Sequence, residues 1–287
     1  MSIRIIVFFL FIGLMSGCKY ESKVESKFGN LTEKEQDSLA NFYHDLSMGM
    51  YQPSEMHRRF KDTAIMIKPD HVEYRQRLSY SYKKRGEHIK AMEILNEAVE
   101  MDVARGKTFA LQYRAWSLLY FYRDYKNTIK DVNLIMEMEP KNNYTTCHGE
   151  PCEGIKGQAL YKLGRYQEAI KVFENVLKTE QELGWDPVDN FQVNFYRARC
   201  YAELRQYEKA IDIYREQLAA NPRFTEAHFQ LGKIYFLKRE KEKALQNLKT
   251  ASQLLAEGNK MGEPYYEAFD EVFSYQIEEM LEQTSRL

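Results

Sequence analysis

The residues best suited to covalent or metal chemistry are four cysteines and six histidines. Two of the cysteines, Cys147 and Cys152, bracket His148 in the stretch "CHGEPC". Gly and Pro give this stretch the composition of a loop. Outside the cytosol the two thiols can bond to each other, and the sequence leaves bonded and free forms open. A zinc-type centre needs three or four such ligands, and His148 alone does not complete a set, so no metal is expected. The remaining histidines are scattered and form no HExxH pair. A GxSxG elbow, a phosphate-cradling glycine loop and a paired-carboxylate signature are likewise missing from the sequence. The Glu and Lys residues have the spacing of solvated helix faces. Neither catalysis nor a cofactor is expected.

Composition sets the elements that must position any site. The chain has 287 residues, 44% apolar and 29% charged, enough to bury a core and too apolar to be wholly disordered. Only 14 Gly and 7 Pro occur, which favours long helices over a turn-rich β fold. Basic and acidic residues balance at 41 and 42, so no overall positive field draws the chain to nucleic acid.

The N-terminal stretch "MSIRIIVFFLFIGLMSGCKY" has Arg4 ahead of an apolar run from Ile5 to Met15. A membrane-spanning helix needs roughly 20 apolar residues, so this shorter run reads as a signal peptide over residues 1–17. Its end, "LMSGC", resembles the lipobox of bacterial lipoproteins, with Ser16 and Gly17 directly before Cys18. The usual Leu three residues before the Cys is Met15 here, with Leu14 one earlier. The resemblance implies that Cys18 is the lipidated first residue of the mature chain. It also implies anchorage to a membrane of the bacterial cell envelope, with the outer membrane, on its periplasmic or surface side, as the expected location. Residues 18–32 are polar and lack an apolar stripe, as a flexible tether would.

The rest of the chain repeats itself. In "GQALYKLGRYQEAIKVF", Gly157, Leu160, Gly164, Tyr166, Ala169 and Phe173 resemble the tetratricopeptide repeat (TPR), a 34-residue helix–turn–helix, at its positions 8, 11, 15, 17, 20 and 24. Ala198, Tyr201, Tyr207, Ala210, Tyr214 and Pro222 follow the same pattern. So do Gly232, Tyr235, Ala244, Leu248 and Ala251, and upstream Ser79, Tyr82, Ala91, Leu95 and Ala98. A fifth unit keeps Leu119, Tyr125, Val132 and Pro140 but carries bulky Trp116 at position 8 and Thr128 at position 20. Units begin near residues 72, 109, 150, 191 and 225, in steps of 37, 41, 41 and 34, with the surplus in loops around 104–108, 142–149 and 184–190. Small residues at positions 8 and 20 let two helices approach, and large ones at 11 and 24 fill the space beside them. One unit cannot bury that seam alone, so neighbours must stack.

The expected fold is all-α: a right-handed superhelical solenoid of about five TPR units over residues 71–257. A capping helix pair is expected at 33–70, with a helix N-cap at Thr32 and Glu35. A C-terminal capping helix is expected at 264–285, opened by Pro264 and striped by Phe269, Val272, Phe273, Gln276, Ile277 and Met280. Cys200 falls on a helix as a small buried residue.

TPR arrays line their concave wall with the first helix of each unit. By that resemblance the groove carries Tyr80 and Lys83, then Tyr113 and Tyr120, then Tyr161, Phe195 and Arg199, and finally Phe229, Lys233 and Phe236. Aromatic and cationic residues of this kind concentrate binding energy at protein interfaces. The carboxylate clamp of one TPR subclass needs Lys and Asn where this chain has Gln76 and Tyr80, so that mode is not expected. The implied function is a non-catalytic scaffold or adaptor that binds another envelope protein or peptide. Glycan or nutrient capture by an aromatic groove, or a structural oligomerisation module, are the alternatives.

Overall fold

A computed structural model of the chain describes residues 28–140, 144–262 and 266–287. The signal peptide, Cys18 and most of the tether lie outside the described residues, as does Pro264. Among the described residues no helix is long and apolar enough to cross a membrane.

Thirteen α-helices, one 3-10 turn and one short hairpin make up the described regular structure. Helices α1 (Glu33–Met48) and α2 (Glu55–Ile67) form the N-terminal pair. Thr32 caps α1: its hydroxyl accepts from the Glu35 N–H, and its own N–H donates to the Glu35 carboxylate at 2.8 Å. The pair buries Ala40, Ala64 and Ile67 against Tyr74, whose hydroxyl donates to Asn41 Oδ1 at 2.7 Å. Tyr74 lies on α3 (Val72–Lys84), so this contact joins the cap to the first repeat.

Five helix pairs follow. They are α3 with α4 (His88–Val103), α5 (Phe109–Tyr120) with α6 (Tyr125–Met138), and α7 (Cys152–Lys162) with α8 (Tyr166–Glu182). Then come α9 (Phe191–Glu203) with α10 (Tyr207–Ala220), and α11 (Thr225–Leu237) with α12 (Lys241–Ala256). Each pair turns through one left-handed residue: Gly86, Arg123, Gly164, Arg205 or Arg239. These residues keep the same spacing along the chain as the repeat markers. In four units the N–H that follows donates back to the position-11 carbonyl: Glu87 to Tyr82, Arg165 to Leu160, Gln206 to Tyr201 and Glu240 to Tyr235. The unit with Trp116 departs, and Asp124 reaches Leu118 instead.

The seam between paired helices is as tight as the repeat pattern requires. A Cβ added to Gly157 would lie 2.3 Å from the Phe173 ring, and one added to Gly232 would lie 2.6 Å from Leu248 Cγ. Along the stack, α3 touches α5, α5 touches α7 and α7 touches α9 directly. First helices therefore crowd together, which puts them on the inner, concave side.

The loops between units are built, not slack. Strands β1 (Thr146–Cys147) and β2 (Glu150–Pro151) form a hairpin turned through His148 and Gly149, both at positive φ. Cys147 and Cys152 are disulfide-bonded across it, and Cys200 is a free, buried thiol. A 3-10 turn at Pro187–Asp189 leads into α9.

The C-terminal end differs from the expected helix over 264–285. Helix α13 spans only Ser274–Ser285, and residues 266–273 are non-helical. Asp270 sits at φ 56°, which breaks the helix path, and the Phe273 N–H donates to Gln276 Oε1 at 3.0 Å to start α13. Phe269 and Val272 are buried at two different places rather than along one helix face: Phe269 joins the main core, and Val272 packs with Phe229, Leu248, Ala251 and Ile277.

Two glycines of α7 separate packing from propensity. Gly157→Ala must push Phe173 aside and should lower stability by about 1–3 kcal/mol. Gly154→Ala places its Cβ at ordinary contact distance from Val193 and Pro151 and should be neutral or stabilise by up to about 1 kcal/mol. Thermal melts of the two variants check the contrast.

Candidate binding groove

The concave wall is aromatic, but little of it is open. Tyr113, Tyr120, Tyr161, Phe195, Arg199 and Phe229 are buried, contrary to their expected presentation on a free surface. Two segments of the chain lie over most of them, the disulfide-bonded hairpin and residues 266–273, here called the strap, while Phe195 turns into the core.

At the first units, the hairpin covers α5. Glu150 accepts from the Trp116 indole N–H at 3.3 Å, the Tyr120 hydroxyl at 2.6 Å and the Gln158 side-chain amide at 3.3 Å. The Tyr120 hydroxyl accepts in turn from Gln192 at 2.9 Å. Burial raises the Glu150 carboxyl above its ordinary pKa despite these donors, and burial followed by the Glu150 charge pushes the Tyr120 phenol far up. His148 rests on the Trp116 ring at 4.4 Å. Trp116, the residue that breaks the small-residue rule of position 8, thus serves the concave face as a hydrogen-bond donor.

Beside it, Lys83 is buried in an aromatic box. Its ammonium lies 3.7 Å from the Phe121 ring centre, 4.8 Å from Tyr80, 4.9 Å from Tyr113 and 5.2 Å from Trp116. It donates to the Tyr113 hydroxyl at 2.9 Å and to Ser117 at 3.4 Å. Ring faces attract a cation, which offsets part of the cost of burying it. Burial, with Lys84 adding repulsion, still draws its pKa down to about 7. The sequence reading places Lys83 on a free wall; the structure makes it the centre of a packed cluster.

Further along, the strap crosses α5, α7 and α9. The Phe269 ring stacks against Tyr120 at 5.6 Å, under the Arg123 guanidinium at 4.2 Å and the Lys162 ammonium at 5.0 Å. Tyr196 donates its hydroxyl to the Phe269 carbonyl at 3.1 Å, and Arg123 donates to the Glu267 carbonyl. Tyr266 stacks on Tyr120 at 4.8 Å. Asp270 lies 3.6 Å from Arg199, which also donates to Tyr161 at 3.0 Å, to Gln230 and to Glu203 at 3.2 Å.

The remaining expected groove residues divide. Phe195 is a core residue, packed among Tyr196, Tyr214 and Phe224. Phe229 is covered by Val272 and Ile277, with half-buried Lys233 over its ring at 5.6 Å. Phe236 is half-buried against the main core, and Tyr80 lies edge-on to Tyr113 at 6.2 Å. Among the described residues no group of His, Cys, Asp and Glu is placed to hold a metal ion. A cavity of about 850 Å³ remains beside the strap, lined in part by Gln192, Phe191, Phe224 and Asn259.

Trp116, Arg123, Glu150, Phe269 and Asp270 were not among the expected groove residues. Trp116 carried a signal, as a bulky residue where the pattern is small. Arg123 carried a weaker one, standing where Gly164 stands in another unit. Glu150 and the strap reach the wall through loops, where the repeat pattern is silent.

Comparison with known proteins supports this architecture. Models described as tetratricopeptide repeat match residues 156–223 and 72–102, so the chain carries TPR units in those segments. The chain is 31% identical over 104 residues to the BBSome complex member BBS4 of Bos taurus, covering 36% of this chain and 18% of that protein. It is 29% identical over 117 residues to the Hsp70/Hsp90 co-chaperone CNS1 of Saccharomyces cerevisiae, covering 39% of this chain and 30% of that one. The chain thus spans less than a third of the length of either relative. The solved structure of Pseudomonas aeruginosa pilF aligns with a TM-score of 0.58 at 14% identity, over 77% of this chain and 94% of that one. The fold is that of an all-α TPR solenoid.

The Lys83 box makes a pH-dependent prediction. Its folded pKa is depressed, so the unfolded chain binds the extra proton between about pH 7 and 10.5, and stability falls as pH drops through that window. Lys83→Met should therefore melt higher than the parent at pH 7, by on the order of 3 kcal/mol before the lost ring contacts are discounted. The gap should close toward pH 10. A gap independent of pH in circular-dichroism melts would show that the buried ammonium carries no such penalty.

Proposed function

We propose that this chain is a non-catalytic scaffold of the bacterial cell envelope, held at a membrane by lipid on Cys18, that binds another protein along its concave wall. The observation that carries the binding part is the wall's present occupant. Helices α5, α7 and α9 already grip a stretch of polypeptide without regular structure, using aromatic, arginine and lysine side chains. Such residue types dominate protein interfaces, and a solenoid presents them along one continuous surface. Two relatives bear the names of a complex member and a co-chaperone, which fits a role among protein partners. The envelope part rests on the N-terminal stretch and its lipobox resemblance.

A second function, capture of a small ligand such as a glycan, is favoured by one observation: the cavity of about 850 Å³ mixes aromatic rings with amide side chains.

Two experiments test the main proposal. Cys18→Ala should abolish fatty-acid labelling and release the chain from membranes; labelling that persists would remove the lipid anchor. A photo-crosslinker placed at exposed Lys162 or Glu203, on the groove rim, should capture a partner in cells. The same group at exposed Lys171, on a second helix, should not. Capture from Lys171 alone would move binding to the outer face.

A further inference from the structure

The strap is bound to the wall as a ligand would be. Its contacts with the wall are wall side chains meeting a side chain or carbonyl of the strap, and outside the wall Glu271 pairs with Lys260. We propose that residues 266–271 are an internal stand-in for the partner. The site takes a short peptide in which an aromatic residue is followed directly by a carboxylate, with a second aromatic three residues earlier. Such a peptide binds by displacing the strap. This rests on the scaffold function proposed above and specifies its ligand.

Three observations carry it. The first is chemical generality. Tyr120 and the cations Arg123 and Lys162 enclose a ring, Tyr196 donates to the backbone carbonyl behind that ring, and Arg199 faces the carboxylate of the next residue. None of these contacts depends on the strap's connection to the rest of the chain. The second is imperfect fit. The strap has no helix or strand of its own. Asp270 is held in the left-handed region at φ 56°, and its Oδ2 is buried with no hydrogen-bond partner. A peptide free of the flanking chain can satisfy the same wall without that backbone constraint. The third is charge. The wall contributes Arg123, Lys162 and Arg199, and the strap sets the Asp270 carboxylate against Arg199 and the Glu267 carbonyl against Arg123.

The fold also lets the strap leave without unravelling the end of the solenoid. Val272, just after it, docks in a separate cluster with Phe229, Leu248, Ala251 and Ile277. Release of Phe269 therefore leaves α13 in place.

The test uses the full chain and a fluorescein-labelled hexapeptide of residues 266–271, YEAFDE, with binding read by anisotropy. A variant carrying Phe269→Ala and Asp270→Asn should bind the peptide about tenfold or more tighter than the parent, because the tethered strap competes at millimolar effective concentration. The same peptide with its Phe replaced by Ala should lose that binding. A variant with parental helicity that does not bind YEAFDE overturns the proposal and makes the strap a permanent cap. Should the variant fail to fold, hydrogen exchange on the parent decides instead. Excess YEAFDE should accelerate exchange of the strap amides at least about threefold while α9 is unchanged, and no acceleration overturns the proposal. A concentration-dependent doubling of mass on release of the strap also overturns it, in favour of a second copy as the occupant. Partner crosslinks from Lys162 with no peptide binding would sink displacement and leave the scaffold standing. Crosslinks from Lys171 alone would move partner binding to the outer face and remove the groove reading on which displacement rests.

Discussion

The contact between Gly157 and the Phe173 ring sets the rest of the molecule. With no room for even a Cβ between them, the two helices of that unit lie as close as side chains allow, and Gly232 against Leu248 repeats the arrangement at the last unit. Close pairing uses up one face of each helix. The neighbouring face then has to be buried by the next pair, and the stack of five follows. Because α3, α5, α7 and α9 also touch in succession, their remaining faces converge on the inner side. What those faces carry decides what the molecule can bind.

They carry an unusual density of rings. An open wall of Tyr113, Trp116, Tyr120, Tyr161 and Tyr196 would hold a large apolar surface against water, which is unfavourable at about 25 cal/mol per Å². The chain covers it from two directions. An insertion before α7 folds into a disulfide-bonded hairpin that brings Glu150 onto Trp116 and Tyr120, and the segment before α13 lays Phe269 across Tyr120 and Tyr196. These two covers differ in kind. The hairpin is locked by a covalent bond and by paired strands, and its carboxylate has three donors. The strap is held by side-chain contacts alone and includes a left-handed Asp270 with an unsatisfied oxygen. One reads as permanent wall and the other as an occupant.

The unit containing Trp116 shows how a departure from a packing rule can be put to use. The bulky ring stands at a small position, and the turn after it is shifted at Asp124. That same ring supplies an indole N–H to Glu150 and one side of the box around Lys83. Stability of this region then depends on a lysine buried among rings with no carboxylate in ion-pair contact among the described residues, which ties it to pH.

The sequence by itself determined the helices of the repeat units, their pairing and their stacking. Those features rest on contacts within one unit or between adjacent ones, and such contacts repeat at fixed spacing that a single sequence displays. It also marked the thiols of "CHGEPC" as near enough to bond without deciding that they do. What only the tertiary structure decided is which inner residues are free. Phe269 and Val272 are three apart, which reads as one stripe of a helix, yet the same spacing serves a bent segment that delivers the two side chains to separate clusters. The contact of Arg123 with Glu267 joins residues more than a hundred positions apart, beyond the reach of any repeat period. Periodicity records packing between neighbours. The occupation of the groove depends on where a loop happens to return, and that is a property of the folded chain alone.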